Sequence, residues 1–172
     1  MSNEERVEIR LDFQSFPIDI VFPFVIDYLK MKTLSVKSEW AEVEKVRTFL
    51  QGNLNELNIS DEEYYQIEVS LLEVCINIIM YAYPEEKGEI SLRTWQEEEK
   101  IFFEIIDWGI PFDPRKVKKP DIIENVKNQK RGGLGIFLSR KLMDGFDYKR
   151  ENNKNILTMY KNIKEPGMSE SV

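Results

Sequence analysis

The run from Ser60 to Tyr83 constrains the fold more than any other part of the chain. Ser60-Asp61-Glu62-Glu63 is a capping box, in which the serine and the third helical residue satisfy backbone N–H groups at a helix start. The helix it opens carries Ile67, Leu71, Val74, Cys75 and Ile78, and Pro84 and Gly88 end it. Into this apolar stretch the sequence sets Glu73, Asn77 and Tyr81 at i, i+4 and i+8, along one helix face. A carboxylate and an amide so placed are costly when buried without partners. They either emerge on a solvated face or look into a polar pocket, and the residues alone leave both open.

The other elements suggest what that helix packs against. Val7–Phe13 alternates apolar and polar residues, as a half-buried strand does, and Lys32–Lys37 reads as a short strand. Two prolines argue against one continuous helix over Ser15–Lys30. Ser38 is expected to cap a helix in which Trp40, Val43, Val46, Phe49, Leu50 and Leu54 recur at helical spacing, ending near Leu57. Glu89–Gln96 and Ile101–Asp107 form an expected hairpin around a charged turn, and Phe146–Arg150 with Asn155–Tyr160 forms a second. Between them lies a polar segment, Gly109 to about Gly133, where Ile122, Ile123 and Val126 suggest a short helix, and then a helix over Gly133–Met143. So long a connection in a compact domain is commonly a functional lid or a disordered segment. The fold class expected is α+β: a two-layer α/β sandwich, a mixed but mostly antiparallel sheet with helices on one face. The domain is expected over residues 32–163, with an N-terminal extension at 1–31 and a disordered tail at 164–172.

Composition removes several classes of function. The 172 residues contain no histidine, which excludes a Ser-His-Asp triad, a histidine metal site and a phospho-accepting histidine. The single cysteine, Cys75, lies in the apolar run Val69–Met80 and reads as a small buried hydrophobe. A net charge of −7 disfavours general nucleic-acid binding and fits a basic protein partner or a metal-bound nucleotide. No run approaches the roughly 18 apolar residues of a membrane span, and the N-terminus lacks the order of a secretion signal. A soluble cytoplasmic protein is expected.

Two further clusters carry chemistry. Asp107-Trp108-Gly109-Ile110-Pro111-Phe112-Asp113-Pro114 follows an apolar strand. An Asp at such a strand end can accept a hydrogen bond from an exocyclic amine, and Gly109 permits close approach of a flat ring; a plain turn has the same composition. Arg131-Gly132-Gly133-Leu134-Gly135 runs into a helix, where backbone N–H groups and the helix dipole attract phosphate; a flexible hinge is the alternative. It is neither a P-loop nor a dinucleotide fingerprint. On the helix that Ser60 opens, the amide oxygen of Asn77 suits a hard cation such as Mg²⁺, and the Glu73 carboxylate can take a proton from an attacking hydroxyl.

In this order the three clusters resemble the boxes of the GHKL ATPases. Glu73-x-x-x-Asn77-x-x-x-Tyr81-Ala82-Tyr83 resembles the N box, Asp107-x-Gly109-x-x-Phe112-Asp113-Pro114 the G1 box, and Gly132-Gly133-Leu134-Gly135-Ile136 the G2 box, with the ATP lid between the last two. Within that superfamily, the strand and helix like Leu34–Leu50, the Ala-Tyr after the N box and Leu142-Met143-Asp144 resemble the anti-sigma-factor serine/threonine kinases. The resemblance covers roughly 33–162 and implies a Bergerat ATP-binding fold. It implies Glu73 as general base, Asn77 as Mg²⁺ ligand, Asp107 on the adenine amine, and Gly109 and Phe112 at the base. Gly132, Gly133, Leu134 and Gly135 would lie near phosphates, with Arg131 on the γ-phosphate. It further implies ATP as cofactor, a STAS-type anti-anti-sigma protein as substrate, an RNA polymerase sigma factor as the other partner, and homodimers. Many relatives carry His where Tyr81 stands, so no role carries over to that position.

Overall fold

The computed structural model describes residues 31–57, 59–117 and 134–163. The expected strand Val7–Phe13, the segment Ser15–Lys30, the short helix near Ile122 and the tail lie outside them.

Five strands form one sheet in the order β1-β2-β3-β5-β4. They are β1 (Lys32–Lys37), β2 (Glu89–Glu97), β3 (Lys100–Asp107), β4 (Gly145–Glu151) and β5 (Lys154–Asn162). Every described pairing is antiparallel, in keeping with the mostly antiparallel sheet expected from sequence. The reason is local: β2–β3 and β4–β5 are tight hairpins, turning at Glu98 (φ 50°) and at Asn152 and Asn153 (φ 49° and 63°). Register then gives each face its chemistry. Ile90 faces Asp107 across β2–β3, Asp107 faces Asn155 across β3–β5, and Arg150 faces Asn155 across β4–β5. One row of side chains thus crosses the sheet at a single end.

Among the described residues three helices complete the second layer: α1 (Val43–Leu54), α2 (Asp61–Asn77) and α3 (Leu134–Leu142). Val46, Leu50, Ile67, Leu71 and Cys75 from the helices share one core with Ile90, Leu92, Phe103, Ile105 and Met159 from the sheet. Full burial of each Leu or Ile stabilises the fold by about 1.5–3 kcal/mol. The Ser60 box forms as expected: the Glu63 N–H donates to Ser60 Oγ and the Ser60 N–H to the Glu63 carboxylate. Helix α2 continues past Asn77 in a wider π turn, Ile78–Ala82. By length and composition Asp61–Ala82 passes for a membrane span, as the core helix of a globular domain also does. Here its apolar positions, Ile67, Leu71, Val74 and Cys75, pack in the core.

Two expectations are corrected at α1. Ser38 is not its cap. It is fully buried, its Oγ accepting from the Gly88 N–H and its N–H donating to the Gly88 carbonyl, so it latches the end of β1 to the start of β2. Trp40, which fits the helical spacing, stands 58% exposed because the chain enters α1 through a 3₁₀ turn, Trp40–Glu42. The Leu142-Met143-Asp144 motif has a structural role. Lys161 Nζ donates to the Leu142 carbonyl at the end of α3, and the Asp144 carboxylate accepts from the Asn162 N–H. A cation at a helix C-terminus is favoured by the helix dipole.

Candidate functional site

A cavity of about 380 Å³ opens between α2 and the end of the sheet where Asp107 and Asn155 lie. Its walls are mostly apolar: Val74 and Ile78 from α2, Ile105 and Leu157 from the sheet, Ile136 from α3, and Ile110, Pro111, Phe112 and Pro114 after β3. Polar groups enter at separated points, Asn77 and Tyr81 from α2 and Asp107, Tyr148 and Asn155 from the strands. Apolar walls with a few convergent polar groups are the usual make-up of a small-molecule site.

Of the helix face carrying Glu73, Asn77 and Tyr81, the cavity lining includes Asn77 and Tyr81. Asn77 is half-buried, and its Nδ2 donates to the Glu73 carbonyl at 2.6 Å, so its Oδ1 is the amide atom left for a ligand. Glu73 is half-buried and is not among the residues lining the cavity; its carboxylate lies against Gly135 on α3. Tyr81 lies at the rim, 47% exposed.

Asp107 forms the far end and is 6% exposed. Its Oδ1 accepts from the Gly109 N–H at 2.9 Å and from Asn155 Nδ2 at 2.8 Å. Burial pushes its carboxyl above the ordinary range, against the bonds from Asn155 and Gly109 and the charge of Arg150. Gly109 does not line the cavity. It is buried against the helix end, where a Cβ would collide with the Ala82 carbonyl, and the Ile110 N–H donates to that same oxygen at 2.9 Å. The close approach glycine permits here is by backbone. Tyr83 ties the same junction: its hydroxyl accepts from the Trp108 N–H at 2.8 Å and donates to the Glu89 carbonyl at 2.7 Å.

Beyond β3 the chain is held at Arg115, which binds Asp113 at 3.0 Å and Asp147 of β4 at 2.7 Å. Arg115 keeps the Asp113 carboxyl below its usual range. Val117 is held by Arg140 of α3, which donates to its carbonyl at 2.9 Å. Phe112 lines the cavity yet is 50% exposed, Leu134 is 51% exposed at the start of α3, and Gly135 lies under Glu73. Arg131, Gly132 and Gly133 lie outside the described residues. Tyr148, Arg150 and Asn155 were not foreseen. Their signal was present: Asn155 is a polar residue in register with inward-facing Leu157 and Met159.

The sandwich, the polar face of α2 and the acid at the strand end together define an ATPase domain of the histidine kinase-like type. A model of the histidine kinase-like ATPase domain matches residues 36–161, and the chain belongs to that family. The serine-protein kinases RsbW of Bacillus cereus and of Bacillus thuringiensis subsp. konkukian are each 27% identical to it over 133 residues, 75% of this chain and 81% of theirs. A crystal structure of the RsbU and RsbW domains of a Mycobacterium tuberculosis protein matches 78% of this chain with a TM-score of 0.53 at 16% identity. The chain spans only 33% of that structure's length, so this likeness speaks to the fold. The GHKL resemblance of the three boxes is borne out at the level of family and fold.

Proposed function

We propose that this domain binds ATP in the cavity and transfers its γ-phosphoryl group to a serine or threonine of a partner protein. The observation that supports this best is the division of the cavity's polar groups. Asp107 offers an acceptor for the adenine amine from the end of β3, and Asn77 enters from α2, where Glu73 stands one turn earlier with its carboxylate in the space that Gly135 leaves. The named kinase relatives favour the same reading.

Asn77 Oδ1 is a hard oxygen donor, which suits Mg²⁺. Among the described residues no group of three or more Cys, Asp or Glu side chains is placed to cage a metal, so Asn77 would supply one ligand beside phosphate and water. The ion's contribution would be to neutralise phosphate charge. The partner hydroxyl gives its proton to Glu73 as its oxygen bonds to the γ-phosphorus, and the bond to the β-phosphate bridging oxygen breaks to release ADP. The Gly132–Gly135 box, with Arg131, would meet the phosphates.

The partner of this reading is a STAS-type anti-anti-sigma protein, with an RNA polymerase sigma factor as a second target held by sequestration, in the cytoplasm and from a homodimer. The domain would be residues 32–163. Incubation with radiolabelled ATP and a cognate STAS protein tests it: label on a serine or threonine is expected. Its absence despite ATP binding would leave a sequestering module that uses ATP as a ligand only. Glu73→Ala separates the two, since a pure binder carrying it still sequesters its partner.

A further inference from the structure

The Asp107 carboxylate is held by a side chain whose hydrogen-bonding capacity is entirely used. Asn155 donates through Nδ2 to Asp107 Oδ1 at 2.8 Å and to the Ile110 carbonyl at 3.0 Å. Its Oδ1 accepts from Tyr148 Oη at 2.8 Å and from an Arg150 guanidinium N–H at 2.7 Å. An amide has two donor hydrogens and one two-lone-pair oxygen, so all four places are filled. The reverse orientation would turn the NH₂ toward the guanidinium and the oxygen toward a carboxylate, so chemistry fixes the amide as found. Arg150 also donates to the Gly109 carbonyl at 3.2 Å, joining β4 to the turn after β3.

The consequence falls on Asp107. Its Oδ1 already takes two hydrogen bonds, from Gly109 and Asn155, which leaves Oδ2 as the oxygen available to a ligand. We propose that Asn155, locked by Arg150 and Tyr148, is a positioning residue for base specificity: it donates to one Asp107 oxygen and fixes the carboxylate's rotation, so that the other oxygen meets the ligand ring as an acceptor. A 6-amino purine then finds a partner, and a 6-oxo purine meets oxygen against oxygen. Asn155 acts through Asp107, which distinguishes it from a residue that reads the base itself. The charged and titratable groups facing this network are Arg150 and Tyr148 from β4 and Tyr83 from the end of α2.

This inference rests on the ATP reading above. The test is equilibrium binding of ATP and GTP from pH 5.5 to 8.5, by calorimetry, for the unaltered chain, Asn155→Ala, Arg150→Met and the conservative Arg150→Lys. The unaltered chain is expected to prefer ATP. In Asn155→Ala the ATP-over-GTP preference falls at least about tenfold, the size of one hydrogen bond to a charged group. ATP binding in that variant also fails at a higher pH, because Asp107 takes up a proton more readily. Arg150 is exposed, so Arg150→Met keeps the test open if Asn155→Ala does not fold; it shifts both readouts the same way, and Arg150→Lys restores part of each. An equal loss of ATP and GTP affinity, with unchanged preference and pH profile, would overturn the positioning role and leave the ATP reading intact. Failure of the unaltered chain to bind either nucleotide would defeat the ATP reading and this inference with it.

Discussion

Glu73 and Gly135 claim the same space: the carboxylate of Glu73 on α2 lies where a side chain on Gly135 of α3 would begin. The atoms in conflict are the far end of a flexible side chain, so a methyl group at Gly135 is accommodated by swinging that carboxylate away. Gly135→Ala is therefore expected to leave stability unchanged to within about 1 kcal/mol, helix propensity favouring Ala over Gly by that order. With Glu73 as the proposed general base, phosphotransfer is expected to fall about 100-fold, the scale of a lost general base. Urea denaturation and a phosphotransfer assay read the two effects separately. Large unfolding with intact turnover of the folded fraction would mean that Glu73 has no catalytic placement to lose.

Asp107 ties binding to pH. Its folded carboxyl titrates above the ordinary Asp value because burial disfavours the charge. The folded state therefore holds the proton more tightly than the unfolded state does. Its contribution to stability is fully present below the unfolded pKa and is lost as pH rises through the folded one. Asp107→Asn removes that penalty: the ligand-free variant should melt higher than the parent at pH 7, with the gap closing toward pH 4. The same change turns the group facing the cavity into a donor, so ATP affinity should fall at least about tenfold. A variant that melts lower at pH 7 would show that the ionised carboxylate stabilises the empty fold.

The elements were legible because each rests on local chemistry. The Ser60 box, the alternation in β2, β3 and β5, and Pro84 with Gly88 gave element types and nearly their limits. Asn77, Asp107 and Phe112 reach the cavity wall, as a pocket between the boxes requires. The misreadings come from pairings across the chain. Ser38 looks like a cap until Gly88, distant in sequence, takes its hydroxyl. Gly109 suits a ligand's approach until Ala82 arrives there first. Asn155 carries no motif, and its place beside Asp107 follows only from the β3–β5 register.

Cys75 provides a probe of the core. It is fully buried, and burial pushes its thiol up to about 12. Because the thiolate is the reactive form, the native protein should resist a thiol reagent at pH 8 and react promptly once unfolded in guanidinium. Native labelling at the rate of a free thiol would place α2 outside the core, and with it the face that carries Glu73 and Asn77.

Beside the Ile110–Ala82 backbone bond, one hydroxyl and one ring hold the junction between α2 and the turn after β3. Tyr83→Phe leaves the ring in place but removes a donor to the Glu89 carbonyl and an acceptor for the Trp108 N–H. Both groups then depend on water, at about 1–3 kcal/mol of stability. The turn that holds Asp107 loosens, so ATP affinity should fall several-fold. Gly88→Ala strikes the other side of the same ring. A Cβ there would overlap the Tyr83 ring, which cannot yield as the end of a Glu can. The cost should approach that of overpacking a core, about 1–3 kcal/mol. Since both changes act on one side chain, Tyr83→Phe through its hydroxyl and Gly88→Ala through its ring, the double variant should cost less than the two single effects summed. Full additivity in urea denaturation would mean that Tyr83 and Gly88 act apart and that the junction is not a single unit.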